Sequence, residues 1–158
     1  MSIREATVAD VPDILRLVRD LAEYERELDK VEATEQDFRR LMFPDEGPAT
    51  AFGHVAEVDG EVVGSLDARL LLPPAEAQFA FTRDLFAPRL RIEYLATAAA
   101  HRRTGVGTAL VEAAEAWGRE QGATVAELTT YHDSPLAYPF WTERAGYAPR
   151  SINLRKEL

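Results

Sequence analysis

Cysteine is absent from the 158-residue chain. That excludes disulfides, thiolate zinc sites and a cysteine nucleophile, and it suits a cytoplasmic address. Lysine is scarce: Lys30 and Lys156 stand alone, and every other basic residue is an arginine, a bias that reads as solvated surface. No window approaches the roughly 18 consecutive apolar residues of a membrane span. The start, Met1-Ser2-Ile3-Arg4-Glu5, has neither the basic n-region nor the apolar h-region of an export signal. Positive charge is in deficit, for a net −9, which argues against nucleic acid as the main partner. His54, His101 and His132 show no metal-ligand spacing, so no metal is expected. His101 reads as exposed, or else as a further donor at the turn that follows it.

A hydrophobic fraction of 46% suits an ordinary soluble globule, and the length suits one domain. Ile3 to Ala6 alternates like a short strand. Thr7 or Asp10 then offers a helix N-cap with an acid three residues on, ahead of Val11, Ile14, Leu15, Val18, Leu21 and Ala22 at helical spacing. Thr34 with Asp37 repeats the cap before Phe38, Leu41 and Met42, and Pro44 to Pro48 breaks the chain. Two strand-like runs, Ala51–Val58 and Glu61–Leu72, are joined by Asp59-Gly60, a hairpin signal. The stretch from Pro73 to Pro88 has no clear period, and a loop of that size is often a functional surface.

Leu90–Thr97 reads as a buried strand that runs into a glycine-containing turn. Val106, Ala109, Leu110, Ala113, Ala114 and Trp117 then mark the clearest amphipathic helix, with Gly122 as its stop. Thr124–Tyr131 reads as a strand, Ser134-Pro135 as the opening of a short helix, and Ser151–Leu158 has strand character. The order implies a mixed α/β or α+β architecture in a single domain.

The turn Arg102-Arg103-Thr104-Gly105-Val106-Gly107-Thr108 carries the chemistry. A glycine-rich turn between a strand and a long helix presents free backbone N–H groups at a positive dipole end. Two arginines add fork-shaped donors for phosphate. A P-loop needs a lysine after Gly107, and a dinucleotide fingerprint needs a third glycine where Leu110 stands. Both fail, which leaves a phosphate or pyrophosphate site of another kind, or a tight turn without a ligand.

Arg102-x-x-Gly105-x-Gly107 after the fourth strand resembles the signature of the GNAT superfamily of acyl-CoA-dependent N-acetyltransferases. The resemblance runs nearly end to end. It is closest to spermidine/spermine-type diamine acetyltransferases, through Ala6-Thr7-x-x-Asp10-x-x-Asp13-Ile14-Leu15-Arg16-Leu17, Leu21-Ala22-x-Tyr24-Glu25, Thr34-Glu35-x-Asp37, and Glu93 nine residues before Arg102. It implies a GNAT fold over residues 1–158: a twisted mixed, mostly antiparallel sheet flanked by helices and splayed between strands 4 and 5. Acetyl-CoA is the implied co-substrate, with Leu95, Ala96 and Thr97 on the pantetheine. Arg102, Arg103, Thr104, Gly105, Val106, Gly107 and Thr108 lie on the pyrophosphate, and Ser134 completes the cofactor set. A small-molecule amine is the implied acceptor. Dimers are common among such proteins, so a homodimer is an expectation too.

Glu93 is the candidate for taking the amine proton or holding the ammonium, because an acid in the apolar run Leu90, Ile92, Tyr94, Leu95 is costly unless used; the alternative is a solvent-facing position on an alternating strand. Tyr24 and Glu25 match acceptor-binding positions, against the alternative of a solvated helix end. The leaving-group acid departs from the family pattern Phe-Tyr-x-x-x-Gly-Phe. Here Trp141 or Thr142 takes the tyrosine's place, with one extra residue before Gly146, and Tyr138 is the substitute phenol. Tyr94 stands where the polyamine enzymes have an acid. That leaves open a protein, peptide or antibiotic amine as acceptor, or a non-catalytic acyl-CoA-binding regulatory domain.

Overall fold

The structure is a computed structural model that describes residues 1–25, 31–43, 51–73, 86–154 and 156. The alternating N-terminus forms β1 (Ser2–Glu5). Of the two cap signals before the following helix, the Thr7 and Asp10 pair forms a capping box, whereas Asp10 makes no side-chain cap bond to the helix itself. A single 3-10 turn, Val8–Asp10, leads into α1 (Val11–Tyr24). The Asp10 carboxylate accepts the Thr7 backbone N–H at 2.7 Å and the Thr7 hydroxyl at 2.8 Å. It also takes both arms of the Arg4 guanidinium at 2.8 Å. That charge-assisted pair holds the Asp10 carboxyl well below the usual carboxylate range. Arg4 also binds Glu57 at 2.9 Å, so one guanidinium fastens the start of α1 to two strands. The apolar stripe of α1 is buried at Val11, Ile14, Leu15 and Leu17. In α2 (Glu35–Met42) Thr34 and Asp37 form the expected reciprocal cap, with Thr34 N–H donating to Asp37 at 2.8 Å and Asp37 N–H to Thr34 Oγ1 at 3.3 Å.

Asp59-Gly60 joins β2 (Ala51–Val58) to β3 (Glu61–Leu71), with positive φ at both residues, 51° and 84°. That is the turn geometry whose twist matches a hairpin. β4 (Arg89–Thr97), α3 (Val106–Glu120) and β5 (Val125–Glu127) follow. The sheet order is β1-β2-β3-β4-β5, antiparallel except for a parallel β4–β5 pair. This is the expected fold class. The α3 face of the sheet includes Gly64, Leu66 and Leu90, whereas Ser65, Asp67 and Tyr94 face α1 and α2.

Gly64 lets α3 settle close to β3. A Cβ there would lie 2.7 Å from Val106 Cγ1 and 3.1 Å from Leu110 Cδ1, and both of those residues are buried. Gly64→Ala is therefore expected to destabilise the protein by about 1–3 kcal/mol through overpacking. Urea titration checks this: an unchanged midpoint would show that α3 shifts without cost.

Two strand expectations are corrected. The fifth strand covers three residues rather than Thr124–Tyr131, because β4 turns away after Arg91 and leaves later residues no ladder to join. Ser151–Leu158 does not join the sheet where it is described: Ile152 and Leu154 are 88% and 89% exposed. Alternation supplies two faces but no edge to pair with, and β5 presents only three residues. The cluster Pro44–Pro48 and residues 74–85 of the Pro73–Pro88 loop lie outside the described residues. No helix among the described residues is long and apolar enough to cross a membrane.

Candidate functional site

The sheet forks where the site is built. Arg89, Arg91 and the intervening Leu90 pair with Val125 to Glu127, and the parallel ladder then stops. Arginine side chains pin the crotch. Arg89 Nη1 lies 2.8 Å from Glu127, Arg91 Nη1 is 3.7 Å from Glu127, and Arg91 Nη2 donates to Thr129 Oγ1 at 3.1 Å. On the other side of β4 the register slips between Asp67/Ala68 and Tyr94/Ile92, so Glu93 has no cross-strand partner. One extra residue in a strand raises its local twist, and here it lies two residues past the last β5 contact. Beyond the bulge, the β5-side edge of β4 up to Thr97 carries backbone donors and acceptors with no strand partner among the described residues. That edge suits an extended amide chain.

The glycine turn continues from that open edge. Arg103 has φ 64° and Gly105, the N-cap of α3, has φ 95°. Successive left-handed and right-handed residues turn their N–H groups toward one point, a concavity that favours anions. The first helical bond runs from Ala109 N–H to Gly105 C=O at 2.9 Å, so the N–H groups of Gly105, Val106, Gly107 and Thr108 precede the ladder and are free for a ligand.

A cleft of about 280 Å³ joins the open edge to this turn. Of the residues expected to bind cofactor, Leu95, Thr97, Arg102, Arg103, Gly105, Gly107 and Thr108 line it. Ala96 faces away beside Ser65, and the Val106 side chain is in the core. Thr104 is exposed, its hydroxyl donating to the His101 carbonyl at 2.7 Å. Sequence reasoning missed part of the lining: Leu21, Pro135, Leu136, Ala137, Pro139, Phe140, Glu143 and Arg144. His101 is half-buried at the cleft, and its Nδ1 has no hydrogen bond among the described residues. Arg102, Arg103 and Arg144, against the single acid Glu143, give the cleft lining a positive balance in a protein of net charge −9.

The far wall is the segment after β5. Ser134 is buried; its Oγ accepts the Ala137 N–H at 3.0 Å and donates to Glu25 Oε1 at 2.6 Å. Ser134 thus makes the capping bond that the sequence leads one to expect, while the regular helix begins only at Ala137. A short α4 (Ala137–Pro139) passes into a π-helical turn, Phe140–Arg144, closed by Ala145 N–H to Phe140 C=O at 2.9 Å. A π-turn holds one residue more than an α-turn. This accommodates the extra residue before Gly146, which takes φ 76° and ends the turn. Trp141 is buried against Phe140 and Tyr147, with ring centroids 5.0 and 5.3 Å apart. The Thr142 hydroxyl donates to the Tyr138 carbonyl at 2.9 Å. Tyr138 is half-buried and does not belong to the cleft lining.

Tyr24 and Glu25 come to the cofactor end of the cleft. The Arg102 guanidinium lies 4.8 Å from the centre of the Tyr24 ring, a cation–π contact, while Glu25 takes the Ser134 bond. Glu93 lies on the other side of β4's bulge. It is exposed, as the solvent-facing alternative expected, and its nearest cation among the described residues is Arg91 Nε at 3.9 Å, beyond hydrogen-bond reach. Asp67, across the bulge, was not singled out from the sequence. It sits in an apolar run, and its significance depends on which neighbours the sheet brings to it.

A larger hollow of about 430 Å³ lies at the other end of α3, lined by residues that include Leu90, Glu115, Arg119, Thr124 and Tyr147. It lacks the glycine turn and the open strand edge. Its half-buried phenol is already bonded, Tyr147 to Glu115 at 3.1 Å. Among the described residues no group of three or more His, Asp or Glu side chains is placed to hold a metal ion.

Comparison with known proteins agrees with this geometry. The family model described as "Acetyltransferase (GNAT) family" matches residues 14–147. An acetyl transferase of Oryza sativa subsp. japonica, GW6a, is 45% identical over 49 residues, covering 31% of this chain and 12% of that protein. The matched segment thus spans about an eighth of that curated relative. A transcriptional regulator from Bacillus halodurans C-125 superposes with TM-score 0.76 at 25% identity over 99% of both chains. An aminoglycoside antibiotic 6'-N-acetyltransferase from Acinetobacter haemolyticus superposes with TM-score 0.71 at 20% identity, covering 100% of this chain and 99% of that one.

Proposed function

Because the chain belongs to the acetyltransferase (GNAT) family, whose members take acetyl-CoA as co-substrate, we propose that it is an N-acetyltransferase. It moves acetyl from acetyl-CoA to the primary amine of a small molecule of diamine or amino-acid type. We take residues 1–158 as one acetyltransferase domain, cytoplasmic and homodimeric. One observation carries the reading: a positive, glycine-lined cleft opens on the unpaired edge of β4 where the sheet forks. An extended acyl carrier ending in a pyrophosphate suits both parts of that cleft.

In this reading the pyrophosphate lies on the turn 103–108, over the free N–H groups of Gly105 to Thr108, with Arg102, Arg103 and Arg144 around it. Pantetheine amides bond the β4 edge at residues 95–97. Tyr24 and Glu25, held by Arg102 and Ser134, border both the donor and the acceptor. A primary amine with pKa near ~10 is almost wholly ammonium at neutral pH, so it must first lose a proton, which Glu93 accepts directly or through water. The nitrogen lone pair then attacks the thioester carbonyl carbon. The carbonyl oxygen gathers negative charge facing an unpaired backbone N–H of β4. As the C–N bond forms and the C–S bond breaks, the sulfur leaves with the electron pair and the nitrogen's second proton passes to solvent. A thiol pKa of about 8.5 lets the thiolate depart without a dedicated acid, which leaves Tyr138, outside the cleft lining, no more than a secondary role.

The test is release of CoA thiol with a panel of diamines, aminoglycosides and lysine or N-terminal peptides. Turnover with diamines is expected. Turnover with peptides or aminoglycosides alone moves the acceptor to those classes. Binding of acetyl-CoA without turnover on any amine would make the chain a regulatory acyl-CoA-binding domain.

A further inference from the structure

Among the described residues, the buried polar or charged side chains are Asp10, Ser65, Asp67 and Ser134. Asp10 is bonded to Arg4 and Thr7, Ser65 to the Tyr94 hydroxyl at 3.0 Å, and Ser134 to Glu25 and Ala137. Asp67 differs. It is 4% exposed, no hydrogen bond to it occurs among the described residues, and its nearest cation, Arg69 Nε, lies 3.9 Å away. A carboxyl in so buried a setting is costly without a donor, although its oxygens are not sealed from solvent as His54 Nδ1 and His101 Nδ1 are.

Its surroundings are arranged around the bulge. Asp67 pairs across the ladder with Tyr94, and the unpaired Glu93 precedes that partner. Alternation would turn Glu93 away from Tyr94's face. The extra residue instead leaves Glu93 within 3.9 Å of Arg91, whose partner Arg69 is on Asp67's face, and close enough for its charge to act on Asp67. The Tyr94 phenol is already committed to Ser65 and to the Met42 thioether at 3.7 Å. Gly53 on β2 faces Asp67 without a side chain. A Cβ there would stand 3.9 Å from Asp67 Oδ1 and 3.4 Å from Met42 Cε.

We propose that Asp67 and Glu93 form a two-carboxylate subsite for the ammonium group of a small cationic acceptor, with Asp67 as its buried arm. This rests on the amine-acceptor reading above. An ammonium carries three donors and no acceptor, so it supplies what Asp67 lacks. Burial pushes the Asp67 carboxyl up to about 6, with Arg69 opposing the shift and Glu93 adding to it. The groups facing it are Arg69 on its own strand, Glu93, Arg91 and Tyr94 on β4, Gly53 on β2, and the uncharged Met42 of α2. Glu35, Asp37, Arg39 and Arg40 of α2 are exposed. His54 of β2, which burial pushes below its ordinary value, pairs with Leu66 on the opposite face. Asp67 must be ionised to hold a cation, so acceptor binding weakens as pH falls through about 6.

The experiment is calorimetric titration of 1,4-diaminobutane into the acetyl-CoA-free protein between pH 5 and 7.5, in wild type and Asp67→Asn. In wild type the affinity is expected to rise about tenfold across that range, the scale of one hydrogen bond to a charged group, with a midpoint near 6. In Asp67→Asn it is expected to stay weak and pH-independent, with the acetyl-CoA melting shift retained. Equal binding by the variant, or a flat pH dependence in wild type, overturns the subsite. If the variant loses its acetyl-CoA shift and is therefore misfolded, the wild-type pH series alone decides. Because binding is read without turnover, the subsite and the transfer reaction fail separately: CoA release that ignores Asp67 removes only the subsite, and pH-dependent binding without CoA release removes only the transfer.

Discussion

Gly107→Trp is expected to abolish the rise in melting temperature that saturating acetyl-CoA confers on the wild-type protein. Gly107 lies in the first turn of α3, lines the cleft, and contributes one of the N–H groups ahead of the helical ladder. A Cβ at this position would meet Leu95 Cδ2 and Phe140 at 3.5 Å, an ordinary contact. The backbone therefore tolerates a side chain, and Gly107→Ala serves as the folding control. An indole has no such room except in the cleft of about 280 Å³ itself. At a hundredfold excess over Kd, a ligand stabilises the folded state by about 2.7 kcal/mol. For a chain of this size that is roughly 5–10 °C. The variant should show none of it while melting close to wild type without ligand. An unchanged melting temperature in the wild-type protein itself would refute the assignment of acetyl-CoA to this cleft.

Glu93→Gln is expected to lower kcat/KM for a primary amine by about 10²–10⁴, the range for loss of a positioned general base. The acetyl-CoA melting shift should be unaffected, because Glu93 is not among the residues lining the cofactor cleft. The carboxylate is well placed for the work. The bulge frees it from ladder pairing, it is exposed to solvent, and Arg91 approaches no nearer than 3.9 Å. Glutamine keeps size and polarity but removes both the capacity to accept a proton and the negative charge, so the loss should fall on kcat if Glu93 is the base and on KM if it only holds the ammonium. Activity within a few-fold of wild type would mean that solvent alone deprotonates the acceptor and that Glu93 has no catalytic role.

Several features of this protein could be read along the chain because the responsible residues are neighbours in sequence. The Thr34 and Asp37 cap, the Asp59-Gly60 hairpin and the apolar stripe of α3 each depend on contacts within a few residues. The glycine turn belongs with them: Gly105 adopts a left-handed φ, and the free N–H groups at the start of α3 follow from helix geometry alone. What could not be read depends on register. The extra residue before Gly146 was visible, but only the folded chain shows it taken up as a π-turn. Tyr24 and Glu25 were noted as acceptor contacts, whereas the structure brings them to Arg102 and Ser134, 78 and 109 positions away in the chain. The closing segment, Ser151–Leu158, alternates like a strand yet forms none where it is described, because pairing requires an open edge of matching length.

The sequence by itself therefore determined the glycine turn and its preference for an anion, since φ preference, dipole direction and arginine charge are local properties. Only the tertiary structure decided what lies beside Glu93. Asp67 is one acid in an apolar run until a single-residue slip between β3 and β4 sets Tyr94 opposite it and leaves the neighbouring Glu93 out of the ladder. Such a slip is set by the packing of both strands against α3 on one side and α1 and α2 on the other. No residue on either strand encodes it alone.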